Sequence, residues 1–171
     1  MKTALILSSQ VAASRVGASA SAFCLQRLGI NTIVLPTTLL GRHPGWGPAG
    51  GGAISTAHLS DMWERIAEQT IPIDAVMTGY MASAEQAQLA ASIIQTLKHC
   101  NRELITLVDP VMGDHAKLYV PQDVARAIID TLIPLADVVT PNLWELSYIR
   151  GKLSKPHSRR LEPPRPCTLK S

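Results

Sequence analysis

Five times along this chain a short apolar run gives way to a helix-length pattern, and that alternation restricts the fold more than any other feature. Thr3 to Ser8, Ile30 to Leu35, Ile73 to Met77, Leu104 to Val108 and Ala136 to Val139 read as strands. Their apolar runs are those of strands buried on both faces. Helical patterns lie between and after them. Ala18 to Leu28 places Ala20, Phe23, Cys24 and Leu28 on one face and meets Gly29 as a stop. Leu59, Met62, Trp63, Ile66 and Ala67 make the clearest apolar stripe. Ser83 and Gln86 suit a capping box ahead of Ala90, Ile93, Ile94 and Leu97. Pro121 suits the first turn of a helix with Val124, Ile128 and Leu132 inward, and Asn142 to Arg150 reads as a short helix ended by Gly151. Strands joined through helices run parallel by right-handed crossovers. The expected class is therefore α/β, a three-layer α/β/α sandwich around a mainly parallel sheet.

The 171 residues, 46% hydrophobic and 17% charged, are enough for one packed domain. No apolar run approaches the roughly 18 residues that would cross a bilayer, and Ala4 to Leu7 is too short for a signal-peptide core. A cytoplasmic location with no membrane partner is expected. The net charge of +3 suggests a nucleic-acid partner only until its distribution is read. Residues 152–171 hold six of the sixteen Lys and Arg, leaving ten bases against twelve acids in residues 1–151. The basic character belongs to the tail, and no nucleic-acid role is expected. Cys24, Cys100 and Cys167 show no CxxC or metal-ligand spacing, and Cys24 reads as a small buried side chain on the first helix.

In open α/β sheets, ligands bind beyond the carboxyl ends of the strands. That rule selects Ser8-Ser9-Gln10, the Gly- and Pro-rich loop from Gly41 to Gly52, Thr78-Gly79-Tyr80, Asp109 to Asp114, and Thr140-Pro141-Asn142. Gly45-x-Gly47-x-x-Gly50 matches a dinucleotide fingerprint as a string. It contains Pro48, however, and no helix opens until about Thr56, so it lacks the context the fingerprint requires. The loop reads either as a flexible connection or as a lid in which Trp46 stacks on a flat ring. Asp109 and Asp114 bracket a segment that could hold Mg²⁺ beside phosphates, and it reads equally as a turn capped by Asp. Thr140-Pro141-Asn142-x-x-Glu145 places an amide and a carboxylate at a helix start, where an N-cap with a first-turn acid also accounts for them.

Taken in order, these segments resemble the pyridoxal kinase family, which has the ribokinase-like fold. The resemblance rests on Ser9-Gln10-Val11 with Gly17, Leu25 to Gly29, Gly41 to Gly47, Thr78-Gly79-Tyr80, Asp109 to Asp114, Leu118 to Pro121, Leu132 to Asp137, and Thr140-Pro141-Asn142 with Glu145-Leu146. It covers roughly residues 3–151 and implies ATP-dependent phosphorylation of the 5′-hydroxymethyl group of pyridoxal or a related vitamer. It implies ATP and Mg²⁺ as cofactors, and a homodimer is common in the family. By the same resemblance, Ser9 bonds the pyridine ring's polar edge, His43, Pro44, Gly45 and Trp46 cover the ring, and Tyr80 packs against it. Asp109, Tyr119, Thr140 and Glu145 face the nucleotide, while Asp114 and Asn142 organise the metal. Pro44 stands where the family often has Thr, Trp46 where Tyr is common, and Ala13 and Arg15 where Tyr and His are frequent.

The family's base is an Asp in a Gly-x-Gly-Asp segment beyond the Thr-Pro-Asn motif, and these residues contain no such segment, so no catalytic residue is named. The likeness stops near Lys152. The domain is therefore expected to span 1–151 and to be incomplete at its C-terminus, with 152–171 a disordered or out-of-frame Pro- and Arg-rich tail. A non-catalytic pyridoxal-binding fragment and a hydroxymethylpyrimidine kinase are the alternative readings.

Overall fold

The computed structural model describes residues 1–153, the side chains of 152 and 153 excepted. The expectations about the tail fall mainly on residues 154–171, outside the described part. The elements are β1 (Thr3–Val11), α1 (Ala18–Arg27), β2 (Asn31–Leu40), β3 (Gly51–Ala53), α2 (Thr56–Glu68), β4 (Ala75–Thr78), α3 (Ala84–Cys100), β5 (Ile105–Val108), β6 (Gly113–Asp114), β7 (Lys117–Leu118), α4 (Gln122–Ala127), β8 (Val138–Val139) and α5 (Leu143–Leu153). The main sheet has the order β3-β2-β1-β4-β5-β8, and β6 and β7 form a separate hairpin.

All five expected strands are present, and every pairing among them is parallel. The exception within the sheet is β3, which runs antiparallel on the outer edge of β2, with Thr38 opposite Ala53 and Leu40 opposite Gly51. The Gly-rich loop is thus the head of a hairpin. Its stem is closed by Gly41 N–H donating to the Ala49 and Gly50 carbonyls, and by Arg42 Nε donating to the Pro48 carbonyl at 2.8 Å. Gly51 tolerates no side chain there: its φ is +83°, and a Cβ would stand 2.1 Å from the Leu39 carbonyl oxygen.

Alternation along β1 sends Leu5 and Leu7 to one face, where they join Leu35, Val76, Val108, Ile93, Ile94 and Leu97 in one continuous core. Helices α2, α3 and α4 pack on this side. On the other face, Ala4 and Ile6 are buried under α1, which packs on β1 and β2. This gives the three layers. The second face is thinly covered. Helix α1 buries only Ala18, while Phe23 is 50% and Leu28 76% exposed. Cys24 is exposed too, against the expectation of burial. The apolar stripe of α1 is genuine, but a second layer over it is lacking among the described residues. At the other edge of the sheet, Ile105 on β5 and Val138 and Val139 on β8 remain exposed, as do Leu143 and Leu146 on α5.

Several boundaries differ from expectation. Strand β1 runs on to Val11 and β2 to Leu40, past the expected ends at Ser8 and Leu35, so Ser8, Ser9 and Gln10 lie within β1. Pro121 caps α4, and the helix loosens after Ala127 into a π-helical turn at Ile128–Leu132 and a 3-10 turn at Ile133–Leu135. Val124, Ile128 and Leu132 nevertheless all point inward. Helix α5 continues through Gly151 to Leu153, so Gly151 is not its stop and the expected domain edge at 151 falls inside a helix. Among the described residues, no helix is long and apolar enough to cross a membrane.

Candidate functional site

The carboxyl ends of β1, β4, β5 and β8 set the polar residues. Ser8 is buried within β1, three residues before its end, and Gly79 lies so close to it that a Cβ would meet Ser8 Oγ at 2.5 Å. Ser9 follows on the same strand, half-buried and tight against Gly17. The next turn carries Tyr80, whose carbonyl accepts the Thr37 hydroxyl at 2.7 Å. Gln86 fastens this region. Its backbone N–H donates to Ser83 Oγ at 3.2 Å, as a capping box requires. Its side chain takes up longer-range partners: Oε1 accepts from Ala82 N–H at 2.8 Å, and Nε2 donates to the carbonyls of Thr37 at 3.0 Å and Ile54 at 2.7 Å. The capping-box pattern was the sequence signal for Gln86. Its role as the tie between β2, the start of α2 and the Tyr80 turn had none.

His43, Pro44, Gly45 and Trp46 form a 3-10 turn at the hairpin head. His43 Nδ1 accepts from Gly45 N–H at 3.1 Å, and its ring centroid lies 5.9 Å from that of Trp46. All four are exposed, and Trp46 is 65% accessible. The turn is therefore shaped and open, with an aromatic surface free to stack on a ligand. Arg15 lies over Phe23, 5.2 Å from the ring centroid.

The acidic side is more tightly built. Asn142 and Glu145 form a reciprocal cap at the start of α5. Glu145 N–H donates to Asn142 Oδ1 at 2.9 Å, and Asn142 N–H donates to Glu145 Oε2 at 3.0 Å. Glu145 Oε1 then accepts from Met112 N–H at 2.7 Å and Gly113 N–H at 3.3 Å, and Asn142 Nδ2 donates to the Gly113 carbonyl at 2.9 Å. Gly113 must be glycine here, because a Cβ would enter the Trp144 ring at 2.2 Å.

Around this knot the charges crowd. Burial first, and the Glu145 charge second, hold the Asp109 carboxyl above its ordinary range, while the Thr140 hydroxyl works the other way. Tyr119 is pushed up to about 12, first by desolvation and then by Glu145, Asp109, Asp114 and Tyr80. The residue as a whole is about half exposed. Those perturbers show which predicted residues the fold assembles: Tyr80, Asp109, Asp114 and Glu145 each act on Tyr119, and Glu145 and Thr140 act on Asp109. The described contacts of the His43–Trp46 turn stay within its own hairpin.

No group of three or more His, Cys, Asp or Glu among the described residues is placed to hold a metal ion. Mg²⁺ asks for less, since it is commonly held by one or two carboxylates with water and substrate phosphates. The raised Asp109 carboxyl and the Asp114 carboxylate, which accepts from His115 N–H at 2.7 Å, fit that donor chemistry. Both ends of the Asn142 amide are already engaged in the cap and with Gly113, so in this arrangement it orients the loop.

The family model described as phosphomethylpyrimidine kinase matches residues 50–161. A pyridoxal kinase of Rubrobacter xylanophilus is 33% identical over 150 residues, 86% of this chain and 52% of that protein. The crystal structure of pyridoxal kinase from Entamoeba histolytica superposes with a TM-score of 0.82 at 28% identity, covering 88% of this chain and 54% of that one. Pyridoxal kinase from Leishmania donovani in complex with ADP and pyridoxamine gives 0.81 at 26% identity, with 87% and 54% covered. The chain spans about half the length of the relatives it matches.

Proposed function

The chain belongs to the phosphomethylpyrimidine kinase family, and from that premise we propose that it carries the vitamin side and part of the nucleotide side of a pyridoxal kinase, which moves a phosphoryl group from ATP to the 5′-hydroxymethyl group of pyridoxal. Phosphoryl transfer asks a protein for positioning and for stabilisation of spreading negative charge. The observation that supports this reading is the convergence of Tyr80, from the turn after β4, with Tyr119, Asp109 and Asp114.

In this reading Ser9 bonds the ring's polar edge, His43, Pro44, Gly45 and Trp46 close over the ring, and Tyr80 packs beneath it. Asp109, Thr140 and Tyr119 face the nucleotide, with Glu145 behind them. Asp114 is the carboxylate for Mg²⁺ and its waters, oriented through the loop that Asn142 holds. Mg²⁺, when bound with ATP, would neutralise phosphate charge. The 171 residues contain no Gly-x-Gly-Asp segment, so no base for the attacking hydroxyl is assigned within them. Binding without turnover is expected of these residues alone.

The full chain is titrated with pyridoxal while tryptophan fluorescence is followed, and Trp46→Phe identifies the reporting ring. A coupled assay records ADP in parallel. Saturable quenching lost in W46F, without ADP release, is the expected result. Absence of pyridoxal binding overturns the reading, and sustained ADP release overturns its non-catalytic part. The family description favours a pyrimidine kinase as the second reading, and tighter binding of hydroxymethylpyrimidine than of pyridoxal would establish it.

A further inference from the structure

Val111 adopts φ +42° between Pro110 and Met112. A β-branched residue in the left-handed region is strained, because its Cβ crowds the backbone. Such strain persists only where surrounding structure over-determines it. The restraint is visible one residue later. Glu145 is 2% exposed, and Oε1 accepts from both Met112 and Gly113 N–H. Capping α5 needs only Oε2, which serves Asn142. The bonds from Oε1 span more than thirty residues of chain and close on the two amides that follow the strained step.

We propose that Glu145 is the positioning residue of the acidic side: its carboxylate clamps the Asp109–Asp114 turn in the left-handed step at Val111, and thereby aims Asp109 and Asp114 towards Tyr119. Glu145 acts through the turn, by the two amides its Oε1 holds. Three further bonds hang on the same geometry. Tyr119 and Val120 N–H both donate to the Met112 carbonyl, at 3.1 and 3.4 Å, and Asn142 Nδ2 holds the Gly113 carbonyl. Release of the clamp lets Val111 relax to an extended conformation, which rotates the Met112 peptide and breaks the bond to Tyr119. The inference rests on the kinase reading only for what the turn is aimed at. The turn itself is tested without pyridoxal or nucleotide, so either can fail alone.

The reporters in the full chain are the hydrogen exchange of the Tyr119 amide and urea unfolding. Val111→Gly removes the strain while Glu145 remains, and the folding equilibrium constant rises about fivefold. Glu145→Ala speeds Tyr119 exchange at least about tenfold, the scale of losing bonds to a charged acceptor. Val111→Gly placed in Glu145→Ala restores Tyr119 protection, because glycine occupies the left-handed step without a clamp. If E145A does not fold, Glu145→Gln takes its place, since its one carbonyl oxygen can serve Met112 or Asn142 but not both. V111G without a stabilising effect overturns the strain. Unchanged Tyr119 exchange in E145A or E145Q, or no rescue by V111G, overturns the clamp.

Discussion

Replacing Gln86 by leucine preserves the approximate volume of a 2% exposed side chain and removes every hydrogen bond it makes. Three backbone groups are affected. The Thr37 carbonyl keeps the Ile54 N–H at 2.9 Å. Ala82 N–H and the Ile54 carbonyl lose their bonds to Gln86, at 2.8 and 2.7 Å. An unsatisfied buried group costs about 1–3 kcal/mol, so two give about 2–6 kcal/mol. Both bonds are only partly buried, and water recovers some of the loss, which places the expectation near 3 kcal/mol. Gln86→Glu sharpens the test. One oxygen still accepts from Ala82, while the other faces the Thr37 and Ile54 carbonyls and can satisfy one of them only as a protonated hydroxyl. The folded-state pKa therefore rises above the ordinary value of about 4.3. That contribution is fully present below the unfolded pKa and is lost as pH rises through the folded one, at no more than about 1.4 kcal/mol per pH unit. Urea unfolding followed by circular dichroism, at low concentration, reads both variants. A Q86L stability within about 0.5 kcal/mol of wild type, or a Q86E stability that is flat between about pH 5 and 7, would refute the reasoning.

Ala116→Gly should stabilise the chain by about 1 kcal/mol, because His115 (φ 48°) and Ala116 (φ 61°) form a two-residue hairpin turn of the kind that favours glycine; thermal melting checks it. Asp109→Asn should stabilise the free chain at neutral pH and weaken Mn²⁺ binding. Asp109 has a raised folded-state pKa, so its contribution is fully present below the unfolded pKa and lost as pH rises through the folded one, and the wild type but not D109N should lose stability across that range. Val138→Lys should reduce self-association in light scattering, since Val138 is 45% exposed on an edge strand whose outer side pairs with no described strand.

The sequence determined the strands and most of the helices, because their signal is local. The apolar run from Thr3 to Leu7, the stripe of α2 and the start of α3 at Ser83 depend on side chains a few residues apart. It also placed Thr78 to Tyr80, Asp109 to Asp114 and Thr140 to Asn142 at or beyond strand ends, because connectivity in a parallel sheet leaves little choice, whereas Ser8 to Gln10 lie inside the longer β1. What surrounds each element was decided elsewhere. The face of α1 bearing Phe23, Cys24 and Leu28 has the periodicity of a buried helix, yet it lies open, since periodicity reports a face and says nothing of what covers it. Strand β3 has almost no side chains to pattern, and only its pairing with Thr38 to Leu40 makes it a strand. Glu145 shows the division within one residue. The three-residue spacing from Asn142 dictates the cap through Oε2, whereas the bonds of Oε1 to Met112 and Gly113 exist only once α5 is packed against the start of β6.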